Sequence, residues 1–224
     1  MRPTLLLFDL DGTLVRGTRA GERAIDRAFL DLYGRPQATD GIDWRGKPDP
    51  RIFAEALEHL GLDPDHANNP VLWARYLRYL REEIARDPGE VVPGVTGFLE
   101  RLAGNPAFGL ALGTGNLAEG ARIKLEPHGL NRFFPTGGFG SDSDWRPALI
   151  RLGIHRAQDH YGHPFGRVVV VGDTPLDIAA ARENAAQVLA VAGGSYTLAE
   201  LAAHDPDWLF PDFTPVEEIL AGLG

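Results

Sequence analysis

Two aspartates one residue apart, Asp9 and Asp11, follow the apolar run Leu5-Leu6-Leu7-Phe8 and precede Gly12. A buried strand ending this way delivers both carboxylates to one point at the carboxyl edge of a sheet. Aspartate is depleted in strands, and two like charges so close raise each other's pKa unless a cation sits between them. The pair predicts a nucleophile and a metal ligand sharing one site. Asp11-Gly12 alone would read as an ordinary turn.

Two further segments end in groups suited to the same place. Val168-Val169-Val170-Val171-Gly172-Asp173 is a second apolar run closed by an aspartate, and Asp177 follows one helical turn later, where acids favour a helix start. Capping explains Asp177 but leaves Asp173 as an unaccounted strand-terminal carboxylate. Leu110-Ala111-Leu112-Gly113-Thr114-Gly115-Asn116 ends in a hydroxyl and a glycine turn, whose free backbone N–H groups can bind phosphate oxygens. By itself that turn is an ordinary helix cap.

Composition narrows the chemistry. The chain contains no cysteine, which removes disulfides, thiolate nucleophiles and Cys-ligated zinc. Seven scattered histidines show no HExxH spacing, and His160-Tyr161-Gly162-His163 reads as a surface loop. No serine stands in a nucleophile-elbow context. A formal charge of -9 argues against a general nucleic-acid binder. No stretch reaches membrane-spanning length, and the first apolar run stops at Asp9, so a cytoplasmic protein with no membrane partner is expected.

The elements that must position these residues follow from periodicity. Apolar runs of strand length at Leu5–Phe8, Leu110–Leu112, Val168–Val171 and Val188–Val191, with helical patterns between the later ones, predict a parallel α/β sheet; Trp208–Phe210 adds a short edge strand. About a hundred residues between the first two runs are almost wholly helical in pattern, at Ala24–Tyr33, Arg51–Leu60 and Val71–Arg86. A helical block interrupting an α/β alternation reads as a second domain, spanning residues 16–92, with the core formed by 1–15 and 93–224. At 224 residues and 44% hydrophobic content the chain can bury a core of that size.

Asp9-Leu10-Asp11-Gly12-Thr13-Leu14 resembles the first motif of the haloacid dehalogenase-like (HAD) superfamily, Thr114 matches the second, and Gly172-Asp173 to Asp177 matches the fourth. The helical block is similar to a C1 cap, and Gly46-Lys47-Pro48-Asp49-Pro50-Arg51-Ile52-Phe53 looks like the cap segment of the phosphoglycolate-phosphatase-like branch. The resemblance implies a Rossmann-like core with an inserted α-helical C1 cap. It also implies a Mg²⁺-dependent phosphatase acting on a small phosphorylated metabolite through an aspartyl-phosphate. Asp9 would be the nucleophile, Asp11 the acid and base, and Asp9, Asp11 and Asp173 the metal site; Thr114, Gly115 and Asn116 would bind phosphate. A β-phosphoglucomutase-like mutase, or a non-catalytic binding protein on the same scaffold, are the alternatives.

The third motif departs from the family's pattern, because the Lys-Pro expected after the second motif is absent there. Lys47-Pro48 precedes the second motif and belongs to a cap loop, with Lys47 solvated or reaching toward substrate. Arg146 and Lys124 compete for the vacancy. Arg146 opens a helix in the expected interval, where related capped phosphatases use a Gly-Ser/Asp-Asp…Arg version, whereas Lys124 reads as an exposed helical lysine. Arg146 is the choice, with Asp177 orienting it. Some cation is required, since each close pair among these aspartates and a phosphate dianion repels by roughly 4 kcal/mol at an effective dielectric near 20.

Overall fold

A computed structural model describes residues 2–223. The chain begins with β1 (Thr4–Phe8), whose five residues are all buried. A helical insertion follows: α1 (Ala20–Tyr33), α2 (Asp49–His59) and α3 (Pro70–Arg86). It is entered through β2 (Val15–Arg16) and left through β3 (Glu90–Val91), which pair antiparallel as a two-stranded ribbon. Then come α4 (Val95–Ala103), β4 (Phe108–Thr114), α5 (Ala118–Leu125), β5 (Gly137–Phe139), α6 (Arg146–Tyr161) and β6 (Arg167–Gly172). The chain ends with α7 (Pro175–Glu183), β7 (Gln187–Val191), α8 (Leu198–Ala202), β8 (Trp208–Phe210) and α9 (Val216–Leu223).

Six strands form one sheet in the order β5-β4-β1-β6-β7-β8, every pair parallel. Both faces are covered, which is why the strands read as continuous apolar runs. Leu6, Phe8, Leu110, Leu112, Val169 and Val171 face one layer with Phe98, Leu99 and Phe213. Their alternates Leu5, Leu7, Ala111 and Val170 face the other, against α6 and α7. The order places β1 between β4 and β6, where the connections switch direction and a crevice opens at the carboxyl ends. Register makes the crevice chemical: Phe8 lies opposite Leu112 and Val171, so Asp9, Thr114 and Asp173 emerge together at one edge.

The insertion has its own apolar core, built from Ala24, Ala28, Phe29, Phe53, Leu57, Leu72, Tyr76 and Leu80, which continues onto Leu117 at the start of α5 and Ile123 within it. Buried Glu83 of α3 ties it together by accepting from Arg23 at 2.8 Å and Arg27 at 2.6 Å on α1. No helix among the described residues is long and apolar enough to cross a membrane.

Two expectations need correction, and one strand carries no sequence signal. That strand is β5, Gly137-Gly138-Phe139, in which Gly138 is required where the strand lies against the α6 backbone at Leu149. His160 and Tyr161 lie in α6 and not in a loop, and the Tyr161 hydroxyl reaches Leu110 N at 2.9 Å and Leu110 O at 3.2 Å on β4. α1 begins at Ala20, four residues early, since Thr18 Oγ1 accepts from the Ala20 N–H at 3.0 Å.

Candidate active site

The turn after β1 shapes the centre of the crevice. Asp9 is buried, and its backbone N–H donates to Val171 O at 2.8 Å, extending the sheet by one bond past Phe8. Gly12 then adopts φ +88°, and a Cβ there would run into the Asp173 carboxylate. Glycine alone meets both demands. Thr13 Oγ1 donates to Asp173 Oδ1 at 3.1 Å, tying the first motif to the fourth.

Asp173 closes β6, and Thr174 starts α7 with a reciprocal capping box. Asp177 Oδ2 accepts from Thr174 N at 3.1 Å and Oγ1 at 2.7 Å, while the Asp177 N–H donates to Thr174 Oγ1 at 3.3 Å. Asp177 Oδ1 accepts from Arg146 Nε at 3.0 Å and Nη2 at 2.6 Å. The same Nη2 is 2.8 Å from Asp9 Oδ1, and Nη1 donates to Gly46 O at 2.9 Å. Arg146, its side chain only 5% exposed, thus bridges Asp9, Asp177 and a loop of the insertion. A guanidinium suits this because its donors are fixed in a planar fork.

Oxygens of Asp9, Asp173 and Asp177 lie within 4.8 Å of one another. Burial lifts the Asp9 carboxyl to about 6, with Arg146 opposing. Burial, reinforced by Asp9 and Asp177, holds Asp173 well above the carboxylate range. Burial disfavours the Arg146 charge, but Asp177 and Asp9 outweigh it and hold its pKa up. Three aspartates share one guanidinium, so ionising all of them would leave an excess of buried negative charge; an all-oxygen donor set of this kind fits a hard divalent cation, which would let them ionise together. Asp177 is committed through both oxygens, so Asp9 and Asp173 are the side chains that could hold an ion; the clustered oxygens come from Asp9, Asp173 and Asp177 and do not include the expected Asp11.

The Asp11 carboxylate turns away from that cluster. It accepts from Lys124 Nζ at 2.9 and 2.7 Å and from Asn116 Nδ2 at 2.7 Å. Asn116 Nδ2 also donates to Thr114 Oγ1 at 2.9 Å, while Asn116 Oδ1 is buried without a partner. Lys124 is therefore no exposed helical lysine: its side chain is 8% exposed. It lies on the inner face of α5, one turn after Gly120 and Ala121 and between Ile123 and Leu125, and facing Gly21 leaves room for the ammonium. Burial opposes its charge, but Asp11 and Asp49 outweigh it and raise its pKa.

A cleft of 750 Å³ joins these groups, with Asp9, Asp11, Thr114, Gly115, Asn116, Lys124, Arg146 and Asp173 on the sheet side. Asp177 lies behind Arg146, fully buried. From the insertion come Trp44, Arg45, Lys47, Asp49 and Tyr76. Lys47 pairs with Glu55 at 2.7 Å, and Arg45 stacks 5.1 Å over the Tyr196 ring on the opposite rim. Sequence reasoning missed Asp49. It is buried, its N–H donates to Gly115 O at 2.7 Å, and its Oδ2 accepts from Leu117 N at 2.8 Å. An acid in the first turn of α2 looks like a helix-dipole partner, which conceals a reach across 68 residues.

The sequence model of the haloacid dehalogenase-like hydrolase family matches residues 6–191. A probable phosphatase IndB of Dickeya dadantii is 29% identical over 219 residues, covering 96% of this chain and 92% of that protein. A phosphoglycolate phosphatase of Pasteurella multocida is 27% identical over 227 residues, covering 96% and 97%. Among solved structures, CbbY from Rhodobacter sphaeroides in complex with phosphate superposes with a TM-score of 0.72 at 23% identity, covering 100% of this chain and 99% of that one. At that identity the likeness speaks for the fold.

Proposed function

The chain belongs to the haloacid dehalogenase-like hydrolase family, and on that premise we propose that it is a Mg²⁺-dependent phosphatase of a small phosphorylated metabolite, working through an aspartyl-phosphate. The observation that carries this reading is the division of the cleft between two separately held aspartates. Asp9 is buried against Arg146, and Asp11, two residues on, is held by Lys124 and Asn116.

Arg146, 2.8 Å from Asp9 Oδ1, favours the ionised carboxylate against the burial that raises its pKa, and the carboxylate is the form that attacks as a nucleophile. Its oxygen attacks phosphorus, the bond to the substrate oxygen breaks, and Asp11 protonates the departing alkoxide. Asp11, now a base, takes a proton from water; that water attacks phosphorus, the bond from phosphorus to the Asp9 oxygen breaks, and inorganic phosphate leaves while Asp9 returns as a carboxylate. Arg146, the Thr114 hydroxyl and the amides of the 114–116 turn hold the phosphoryl oxygens, making catalysis chiefly positioning and charge stabilisation. A Mg²⁺ held by Asp9 and Asp173 would supply the charge neutralisation that Arg146 alone leaves incomplete.

In this reading residues 16–92 form a cap hinged on the β2–β3 ribbon, and residues 1–15 and 93–224 form the catalytic core. Lys47 and Arg45 would face the leaving group from the cap. Phosphoglycolate is the first substrate to try, because several relatives at 25–28% identity bear that activity in their names. Phosphate release from a panel of phosphomonoesters, with and without Mg²⁺, tests the proposal. Mg²⁺-dependent release by the wild type and none by Asp9→Asn is the expected result; transfer to a second sugar hydroxyl in place of water would make the protein a mutase.

A further inference from the structure

Building on that phosphatase reading, we propose that Asp49, carried by the cap, is a positioning residue for Asp11: it grips the chain on both sides of Asn116 and so holds the Asn116 amide against the Asp11 carboxylate. The two grips come from one residue. The Asp49 N–H donates to Gly115 O at 2.7 Å, and Asp49 Oδ2 accepts from Leu117 N at 2.8 Å. Between them stands Asn116, whose own carbonyl is fixed by Gly140 N at 2.8 Å and whose Nδ2 reaches Asp11 at 2.7 Å.

The turn needs an external clamp for two reasons. α5 has no cap of its own, since its N-cap residue is Leu117, so the orphan amides at its start must find acceptors elsewhere. Asp49 supplies one from the cap, and Ser141 Oγ supplies the next by accepting from Ala118 N at 3.2 Å. Secondly, Asn116 keeps Oδ1 buried and unpartnered in order to present Nδ2 to Asp11. An unsatisfied buried acceptor is unfavourable, and a released turn would relieve it by rotating the side chain away. Asp49 gains little for its own helix: α2 has no side-chain cap bond, and the carboxylate is spent on Leu117 instead.

Opening of the cap would break both grips, leaving Asp11 oriented for proton transfer only while substrate is enclosed. Asp49→Ala and Asp49→Asn in the full-length Mg²⁺-loaded protein test this on two esters, p-nitrophenyl phosphate, whose leaving group needs little protonation, and glycerol phosphate, whose alkoxide needs it. Because acid catalysis is worth about 10²–10⁴-fold, Asp49→Ala should lower kcat on glycerol phosphate by about tenfold or more, but by under about threefold on p-nitrophenyl phosphate. Asp49→Asn, which keeps an acceptor for Leu117, should recover most of the loss. In parallel, the Asn116 side-chain amide resonances should shift in Asp49→Ala and stay near wild type in Asp49→Asn. Equal losses on both esters, or Asn116 resonances unmoved in Asp49→Ala, overturn the proposal. If the wild type hydrolyses neither ester and nothing else in the phosphomonoester panel, phosphoglycolate included, the phosphatase reading falls, and the resonances alone then decide whether Asp49 holds Asn116.

Discussion

Arg146 Nη2 lies 2.8 Å from Asp9 Oδ1 and 2.6 Å from Asp177 Oδ1, so one nitrogen joins the proposed nucleophile to the carboxylate that opens α7. Asp177 is rigid because Thr174 caps it from the other side, and that rigidity passes through the guanidinium to Asp9. Arg146→Ala should cost about 10²–10³ in kcat/KM, the scale of losing one oxyanion-type donor. Arg146→Lys should recover only part, since an ammonium cannot span both carboxylates and Gly46 O. Lys124→Ala should be milder. Steady-state kinetics on folded variants at saturating Mg²⁺ check the order, and a larger loss in Lys124→Ala would make Lys124 the phosphate-site cation.

Asp9→Asn should remove nearly all turnover, because a neutral amide cannot form the acyl phosphate. The fold should persist, since Asp177 still pairs Arg146 and one strained buried charge is gone. Phosphate release and thermal unfolding measured on the same preparation check both halves. Wild-type turnover by folded Asp9→Asn would falsify the covalent mechanism.

The centre of the sheet was legible because its strands are buried on both faces: Leu5–Phe8 and Val168–Val171 are uninterrupted apolar runs, and the aspartates that follow them mark the site edge. Arg146 was legible through its interval between Thr114 and Asp173. What stayed hidden depended on contacts between distant segments. Lys124 looks like any helical lysine until Asp11 and Asp49 are placed around it, and Asp49 looks like a first-turn acid until α5 arrives without a cap. β5 escaped because its glycines answer to the close approach of α6 and not to strand propensity.

Lys47 is paired with Glu55 at the cleft wall and touches none of the three clustered aspartates. Lys47→Ala should therefore alter KM or substrate preference, by about threefold to tenfold for a partly screened charge, while leaving kcat on the best substrate near wild type. Loss of hydrolysis of every substrate would instead make Lys47 part of the reaction centre.

Mg²⁺ should stabilise the protein as well as activate it, because a ligand that binds only the folded state raises the melting temperature with concentration. Asp9 and Asp173 repel each other within a buried pocket, and an ion held between them removes that repulsion. Differential scanning calorimetry with and without Mg²⁺ reads the shift. Asp173→Asn should shrink it, and EDTA should abolish turnover in the wild type. An unchanged shift in Asp173→Asn would place the ion elsewhere.

Asp49 makes a prediction about pH. Burial lifts its carboxyl from the usual 3.8 to about 6, against the opposing pull of Lys124 and the Leu117 N–H; Asp11 and the Tyr76 hydroxyl are the other polar groups facing it. A folded pKa above the unfolded one means that the folded state holds the extra proton between about pH 4 and pH 6, so stability falls as pH rises through that window. A shift of this size corresponds to about 3 kcal/mol at neutral pH. Asp49→Asn carries no charge to bury, so its stability relative to wild type should grow more favourable from pH 4 to pH 7. Urea unfolding of both proteins at the two pH values measures the change directly. A relative stability that stays constant with pH would mean that Lys124 and the α5 amide compensate the Asp49 charge fully, and the carboxylate clamp would then carry no cost to the fold.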